Sequence, residues 1–206
     1  MTITLENTGK RYNQEWIFRG ISTVFNTGEH VVFVGANGSG KSTLLQTILG
    51  SLAPSEGKVM YHHDGKNIDE ESIFRYISFA SPYLELPEEF TLTEVLEFHA
   101  GFKPFFNKLT AKDVLAATGL DKSASKQVKY FSSGMKQRVK LALSIFSDTP
   151  IVLLDEPLSN LDSAGVAWYK NLVNQYSPNR LFIVCSNRQA DEYFFCKREL
   201  VIEDYK

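Results

Sequence analysis

The sequence has no long apolar run, little net charge and few cysteines, and each of these shortages excludes a class of protein. No stretch approaches the ~20 apolar residues that a membrane-spanning helix needs. The formal net charge of -2 gives no global attraction to nucleic acid, so we expect no nucleic-acid partner. The 2 cysteines and 4 histidines lack the spacing of a metal site. The N-terminus has no apolar signal segment, so we expect a cytoplasmic protein.

The sequence does contain short apolar runs that alternate with stretches of helical periodicity. The runs typical of strands covered on both faces are Val31–Val34, Ile151–Leu154 and Leu181–Cys185. The helical stretches are Lys41–Leu49, Met135–Phe146 and Ala164–Gln175. Short strands with mixed faces are predicted at Thr2–Leu5, Ile21–Phe25 and Lys58–Tyr61. This alternation predicts an α/β protein with a largely parallel sheet, and 206 residues suffice for one core.

Residues from about 84 to 128 follow a different pattern. Leu92–Phe98 and Ala111–Thr118 have the helical period, and no buried strand lies between them. We therefore predict a helical insertion into the α/β core rather than a separate domain.

The segment between the first apolar run and the first helical stretch matches the phosphate-binding pattern G-x-x-x-x-G-K-[ST]. It consists of Gly35, Ala36, Asn37, Gly38, Ser39, Gly40, Lys41 and Ser42. Glycines let the backbone wrap closely around a phosphate, and the helix that follows adds its positive N-terminal end. We expect Lys41 to reach the β- and γ-phosphates, Ser42 to bind Mg²⁺ and Thr43 to contact a phosphate oxygen. The alternative is a glycine-rich turn that binds nothing.

A pair of acidic residues, Asp155 and Glu156, follows the apolar run Ile151–Leu154. The carboxyl ends of parallel strands form the edge at which α/β proteins bind their ligands. Asp155 is suited to hold Mg²⁺ through water, and Glu156 can orient and deprotonate an attacking water as a general base. The alternative is a pair of capping acids before the next helix.

Several motifs in a fixed order make almost the whole chain similar to the ABC ATPase family. The segment Phe131–Met135 resembles that family's signature L-S-G-G-Q, and Ser159–Asp162 after the acidic pair resembles its D-loop. The resemblance implies a single ABC ATPase domain over residues 1–206. Its expected fold is an α/β P-loop NTPase core sheet with an N-terminal antiparallel β subdomain. A small α-helical subdomain, residues about 84–146, would be inserted in that core.

The resemblance also implies the substrate, the cofactor and the partners, namely ATP, Mg²⁺, a second ABC cassette and a transmembrane permease subunit. The protein would then lie on the inner face of the cell membrane. Tyr12 occupies the place where the family stacks an aromatic ring on adenine, although packing at a sheet edge would also explain it. Ser132, Ser133 and Gly134 open a helix, and in the family this positive end faces the γ-phosphate bound by the other cassette.

Besides Ser133 and Met135, which stand in the signature where a glycine and a glutamine are usual, two positions depart from the family pattern. Pro82 stands where a glutamine is usual, and the chain has no glutamine between Gln46 and Gln127. Asn187 stands where a histidine is usual, and no histidine follows His99. Proline has no polar side chain, and asparagine donates a hydrogen bond without a positive charge. Because loss of one such donor costs ~100- to 1000-fold in rate, we expect slow hydrolysis with ATP binding intact.

Aromatic and apolar residues are frequent between residues 83 and 106, where the family receives a helix of the membrane subunit. They are Tyr83, Leu84, Leu86, Phe90, Phe98, Phe102, Phe105 and Phe106. Some of them must be core, and the others would form a groove for that helix. The favoured interpretation is a transporter motor subunit. The alternatives are a soluble ABC enzyme, an ATP-binding regulatory or heterodimer-partner cassette that hydrolyses poorly, and a P-loop kinase with an accidental signature.

Overall fold

An antiparallel sheet lies at the N-terminal side of the fold in the computed structural model, which describes residues 1–206. Its strands are β1 (Thr2–Tyr12), β2 (Glu15–Asn26), β4 (Glu56–His63) and β5 (Lys66–Ile68), in the order β2-β1-β4-β5. The three mixed strands predicted from the sequence lie inside β1, β2 and β4, which extend further. The extensions escaped prediction because β1 and β2 pair through several register shifts, and such irregularities interrupt the alternation of apolar and polar residues.

A second sheet is parallel at every pairing. Its strands are β3 (His30–Val34), β6 (Ile77–Ala80), β7 (Ile151–Asp155), β8 (Leu181–Ser186) and β9 (Arg198–Val201), in the order β6-β7-β8-β3-β9. The prediction of a largely parallel α/β sheet is therefore confirmed. Because all five strands run the same way, the loops that follow them meet at one edge of the sheet.

Five α-helices complete the fold. They are α1 (Lys41–Leu49), α2 (Leu92–Phe102), α3 (Ala111–Thr118), α4 (Ser133–Phe146) and α5 (Ser163–Tyr176). Helices α2 and α3 each begin with a capping box, formed by Thr91 with Glu94 and by Thr110 with Asp113. In both boxes the threonine and the acid satisfy backbone N–H groups that the first turn leaves free. Helix α1 matches the predicted bounds, and α4 and α5 exceed theirs by one or two residues at an end.

The parallel sheet separates two hydrophobic cores. In β3, Val32 and Val34 pack into a core with α2, α3, α4 and α5. Val31 and Phe33 point the other way, into a core with α1 and the antiparallel sheet. This covering on both faces explains why the parallel strands are continuous apolar runs. In the central strands β7, β8 and β3 it also leaves only the strand ends free to present polar side chains.

Candidate functional site

The phosphate-binding segment forms a tight loop between β3 and α1. Gly38 and Gly40 have φ values of 79° and 106°, in the left-handed region that glycine adopts without strain. A Cβ on Gly40 would also lie 2.6 Å from Cγ2 of Ile17. Glycine is thus required at position 40 both by its conformation and by the close approach of β2.

Lys41 points back into this loop, and its side chain is buried. Its Nζ donates hydrogen bonds to the carbonyl oxygens of Gly35 and Ala36, each at 2.9 Å. Nearby, the hydroxyl of Ser39 is buried and has no partner. Buried polar groups without partners are uncommon, so the loop retains unused capacity for hydrogen bonding.

Glu203, which the sequence analysis missed, holds the start of the same loop. The backbone N–H of Ala36 donates to Oε1 of Glu203 at 2.6 Å. This bond lowers the pKa of the Glu203 carboxyl, and the charges of Arg188 and Lys41 add to the effect. The two partners are 167 residues apart in the chain, so no local pattern indicated the contact.

The acidic pair lies where the sequence predicted, at the carboxyl end of β7. Asp155 is buried, and burial raises the pKa of its carboxyl, while the hydroxyls of Ser42 and Ser81 lower it. Its Oδ1 is buried without a hydrogen-bond partner. A buried carboxylate beside a serine hydroxyl is a set of hard oxygen donors of the kind that Mg²⁺ prefers. These residues therefore fit a magnesium ion.

Glu156 adopts a left-handed backbone conformation with a φ of 43°. Its N–H donates to the carbonyl oxygen of Cys185 on β8 at 3.0 Å, which ties the end of β7 to its neighbour. A left-handed residue that is not glycine is uncommon and occurs often at functional sites. The backbone here is therefore held in a defined turn.

A cavity of about 290 Å³ brings Glu156 together with the phosphate-binding loop. Its lining residues are Ile17, Asn37, Gly38, Gly40, Lys41, Ser42, Thr43, Tyr83 and Glu156. Tyr83, which the sequence analysis assigned to a partner surface, is the unexpected member. Its side chain is 83% exposed, so it borders the cavity without packing against the core.

The serine-rich signature forms a separate cavity of about 360 Å³ at the start of α4. The hydroxyl of Ser132 caps this helix by accepting from the N–H of Met135 at 3.2 Å. Gly134 touches the D-loop segment, because a Cβ there would lie 2.8 Å from the carbonyl oxygen of Asn160. Ser132, Ser133 and Gly134 therefore lie together, but none of them lines the cavity of the phosphate-binding loop.

Six of the predicted site residues line neither cavity. Gly35, Ala36, Ser39 and Asp155 belong to the same segments as residues that do, whereas Tyr12 and Asn187 do not. Tyr12 ends β1 with 50% of its surface exposed, and its ring lies 5.5 Å from Nζ of Lys10. Asn187 follows β8 directly and is exposed. Neither residue has a hydrogen bond to the phosphate-binding loop, and their roles in binding adenine and the γ-phosphate stay predictions.

The loop after β6, where Pro82 replaces the expected glutamine, is held by a lysine from α4. Nζ of Lys140 donates to the carbonyl oxygens of Ser81 at 3.1 Å and of Pro82 at 2.6 Å. Lys140 is buried, and burial lowers the pKa of its ammonium. Sequence reasoning missed this contact because a lysine in an amphipathic helix is usually a solvated residue.

Glu192 is a buried carboxylate near the acidic pair, and the sequence reasoning did not predict it. Its Oε1 accepts from the N–H of Leu158 at 3.3 Å, while its Oε2 has no partner. The pKa of Glu192 is raised to about 7, mainly by burial; the charges of Glu156 and Asp155 contribute to the rise, whereas Ser186 and the N–H of Leu158 oppose it. This carboxyl thus titrates near neutral pH.

The aromatic region between residues 83 and 106 divides as the sequence analysis expected. Leu86 and Phe105 are core residues, whereas Leu84, Phe98 and Phe102 are 41%, 52% and 74% exposed. The exposed members line a largely apolar groove of about 270 Å³ between the loop after β6 and α2. We call it the α2 groove.

A family model described as ABC transporter matches residues 18–159. The chain belongs to the ABC transporter family. The cytochrome c biogenesis ATP-binding export protein CcmA of Agrobacterium fabrum is 34% identical over 183 residues, which are 85% of this chain and 84% of that protein.

Solved structures of ABC cassettes share the fold. A putative ABC transporter ATP-binding protein from Pyrococcus furiosus has a TM-score of 0.82 at 21% identity and covers 100% of both chains. A dimeric ATP-binding cassette in a post-hydrolysis state, bound to ADP and phosphate, has a TM-score of 0.79 at 23% identity. It covers 98% of this chain and 95% of that one. These likenesses confirm the predicted ABC ATPase fold.

Membership of the family confirms the predicted general function, an ATP-binding subunit whose ATP hydrolysis is coupled to transport. ATP is therefore its nucleotide. No helix of the chain has both the length and the apolar character needed to cross a membrane. The roles of single residues in binding and hydrolysis stay predictions, and the geometry above supports most of them.

Proposed function

We propose that this chain is the cytoplasmic motor subunit of an ABC transporter, located on the inner face of the membrane and working as a pair of cassettes. We also assign residues 84–146 to a helical subdomain within a single domain of residues 1–206. The observation that carries the proposal is the cavity in which Lys41, Ser42 and Glu156 meet. A phosphate-binding lysine, a hydroxyl and a candidate base in one cavity are the groups that hydrolysis of a triphosphate requires.

In this site the loop Gly35–Thr43 binds the phosphates through its backbone N–H groups and through Lys41. On binding, Lys41 exchanges the carbonyl oxygens of Gly35 and Ala36 for phosphate oxygens. Ser42 and Asp155 would hold Mg²⁺, which when bound neutralises charge on the phosphates. Glu156 orients the attacking water and accepts its proton, and its fixed backbone turn sets the direction of that carboxylate.

A second cassette, identical or different, would complete the site. Within one chain the signature residues Ser132, Ser133 and Gly134 line a cavity that shares no residue with the phosphate-binding cavity. Their N–H groups and hydroxyls form an anion site at the start of α4, and ATP held by a partner's loop would fill it. Tyr12 would stack on adenine from the end of β1.

The α2 groove is the proposed contact for a transmembrane permease subunit. Leu84, Phe98 and Phe102 present apolar surface around it, and an amphipathic helix is the element that commonly fills such a groove. The loop after β6 borders this groove through Leu84 and the nucleotide cavity through Tyr83. A movement of this loop would therefore change the shape of both sites.

Steady-state ATP hydrolysis by the purified chain, measured beside Glu156→Gln, tests the proposal. Glutamine keeps the shape of the side chain but cannot accept the proton, so we expect turnover to fall at least about 100-fold. ATP affinity, measured in parallel by calorimetry, should stay within a few-fold of the wild type. Equal turnover in both proteins would refute the role of Glu156. Binding without turnover in either would instead support the poorly hydrolysing partner cassette that Pro82 and Asn187 suggest.

A further inference from the structure

Ser81 lies beside Asp155 at the carboxyl edge of the parallel sheet. It is the first residue after β6, whose last residue, Ala80, pairs with Leu154 of β7. The next residues on the two strands are Ser81 and Asp155, which are therefore neighbours in register. Both are buried, with 5% and 3% of their surfaces exposed.

Two hydroxyls face the Asp155 carboxylate from two different loops. Ser42 lies near it at the start of α1 and Ser81 lies beside it after β6, and both hydroxyls lower the pKa of that carboxyl against the larger, opposing effect of burial. The carboxylate still has a buried Oδ1 without a partner. The side chains of Ser42, Ser81 and Asp155 thus bring oxygen atoms close together, and the free Oδ1 can bind one more polar group.

The backbone around Ser81 is fixed from two directions. Its Oγ accepts from the N–H of Tyr83 at 3.3 Å, which leaves the hydroxyl proton free to point at Asp155. Lys140 holds the carbonyl oxygens of Ser81 and Pro82. A hydroxyl fixed in this way is already oriented, so binding through it costs little further ordering.

Ser78 shows what a purely structural serine looks like on the same strand. It is also buried, but its hydroxyl donates to the carbonyl oxygen of Ile151 and accepts from Thr149. Those bonds join β6 to the start of β7, at the edge away from the nucleotide cavity. Ser81 differs because its hydroxyl faces the acidic residue of the site.

From this convergence we propose that Ser81 positions the metal of the bound nucleotide, its hydroxyl binding a water of the Mg²⁺ shell beside Asp155 and Ser42. Because Mg²⁺ keeps several of its waters in proteins, a hydroxyl next to the carboxylate is well placed to bind one. Ser81 thereby supplies a polar contact that Pro82 does not. The inference rests on the proposed function, since it concerns the same site.

The test measures binding of Mn²⁺·ATP, with Mn²⁺ as a spectroscopic substitute for Mg²⁺, in Glu156→Gln protein so that ATP is not consumed. ATP binding in EDTA is measured beside it. We expect Ser81→Ala to weaken the affinity for Mn²⁺·ATP about 10-fold, as loss of an outer-sphere partner does, while affinity in EDTA is unchanged. Ser81→Thr, which keeps the hydroxyl, should restore binding, and Ser78→Ala is the matched control that should alter neither affinity.

Unchanged Mn²⁺·ATP affinity in Ser81→Ala would overturn the inference. So would an equal loss in EDTA, because that would show a merely structural role for Ser81. Failure of the unsubstituted chain to bind ATP would instead refute the proposed function. The two failures are therefore distinguishable. Electron paramagnetic resonance of the bound Mn²⁺ gives a second readout, and its spectrum should change in Ser81→Ala and not in Ser78→Ala.

Discussion

Two buried lysines, Lys41 and Lys140, have the same kind of hydrogen-bond partners but lie in different parts of the molecule. Each has an ammonium group inside the protein, and each donates to two carbonyl oxygens of a loop that follows a parallel strand. Neither has a carboxylate partner. The partners of Lys41 lie 5 and 6 residues away in sequence, whereas those of Lys140 lie 58 and 59 residues away. A local motif reveals the first arrangement, and only the packing of α4 against β6 reveals the second.

The two buried positive charges also have different roles. Lys41 lines the nucleotide cavity, so its carbonyl partners can be replaced by phosphate oxygens. Lys140 does not line that cavity. It joins α4, which carries the signature at its start, to the residues after β6. One lysine is a ligand-binding group, and the other links two parts of the protein.

The largest effect is expected at Lys41. Lys41→Met removes a charge-assisted contact with phosphate, and hydrogen bonds to charged groups contribute about 1.5–3 kcal/mol each. We expect ATP affinity to fall by about 10- to 100-fold, measured by calorimetry in the presence of Mg²⁺. An affinity equal to that of the wild type would show that Lys41 is the structural residue and would remove the contrast with Lys140.

Lys140→Met is the matched substitution and should act on stability instead. It leaves the carbonyl groups of Ser81 and Pro82 without their partner, which costs about 1–3 kcal/mol. The expected result is a lower midpoint of urea unfolding, with ATP affinity in EDTA unchanged. A loss of ATP affinity as large as that of Lys41→Met would contradict the assignment of separate roles.

Glu192 gives the reverse case, a buried acid, and its effect should appear only as a dependence of stability on pH. Its pKa in the folded protein is about 7, above the ordinary 4.5. Protonation therefore favours the folded state, so its contribution is complete below pH 4.5 and is lost as pH rises to about 7. The slope in this window is at most about 1.4 kcal/mol per pH unit. Glu192→Gln, which stays neutral, should remove this decline.

The measurement is the free energy of urea unfolding from pH 5 to 8 for the wild type and Glu192→Gln. The difference between the two proteins should grow with pH in favour of the variant. His99 acts in the opposite direction, because burial lowers its pKa to about 4 and its neutral form is the stable one. Comparing the two proteins at each pH cancels that contribution. A constant difference across the range would contradict the titration of Glu192 near pH 7.

Much of the site was predictable because its groups belong to short continuous segments. The loop Gly35–Thr43 and the pair Asp155 and Glu156 follow apolar strands directly, and parallel strands bring their carboxyl ends to one edge. Their positions in the chain therefore imply their position in space. Tyr12 and Asn187 were placed by family resemblance alone, and the structure leaves both exposed outside the cavity.

The sequence by itself determined the phosphate-binding loop, the acidic pair, the capped helix at the signature and the α/β class. In each of these the interacting groups lie within a few residues, so backbone geometry alone brings them together. The tertiary structure decided the contacts of Glu203 with Ala36, of Lys140 with the loop after β6, and of Ser81 with Asp155. Those partners are far apart in sequence, and only the folding of two cores around one parallel sheet brings them into contact.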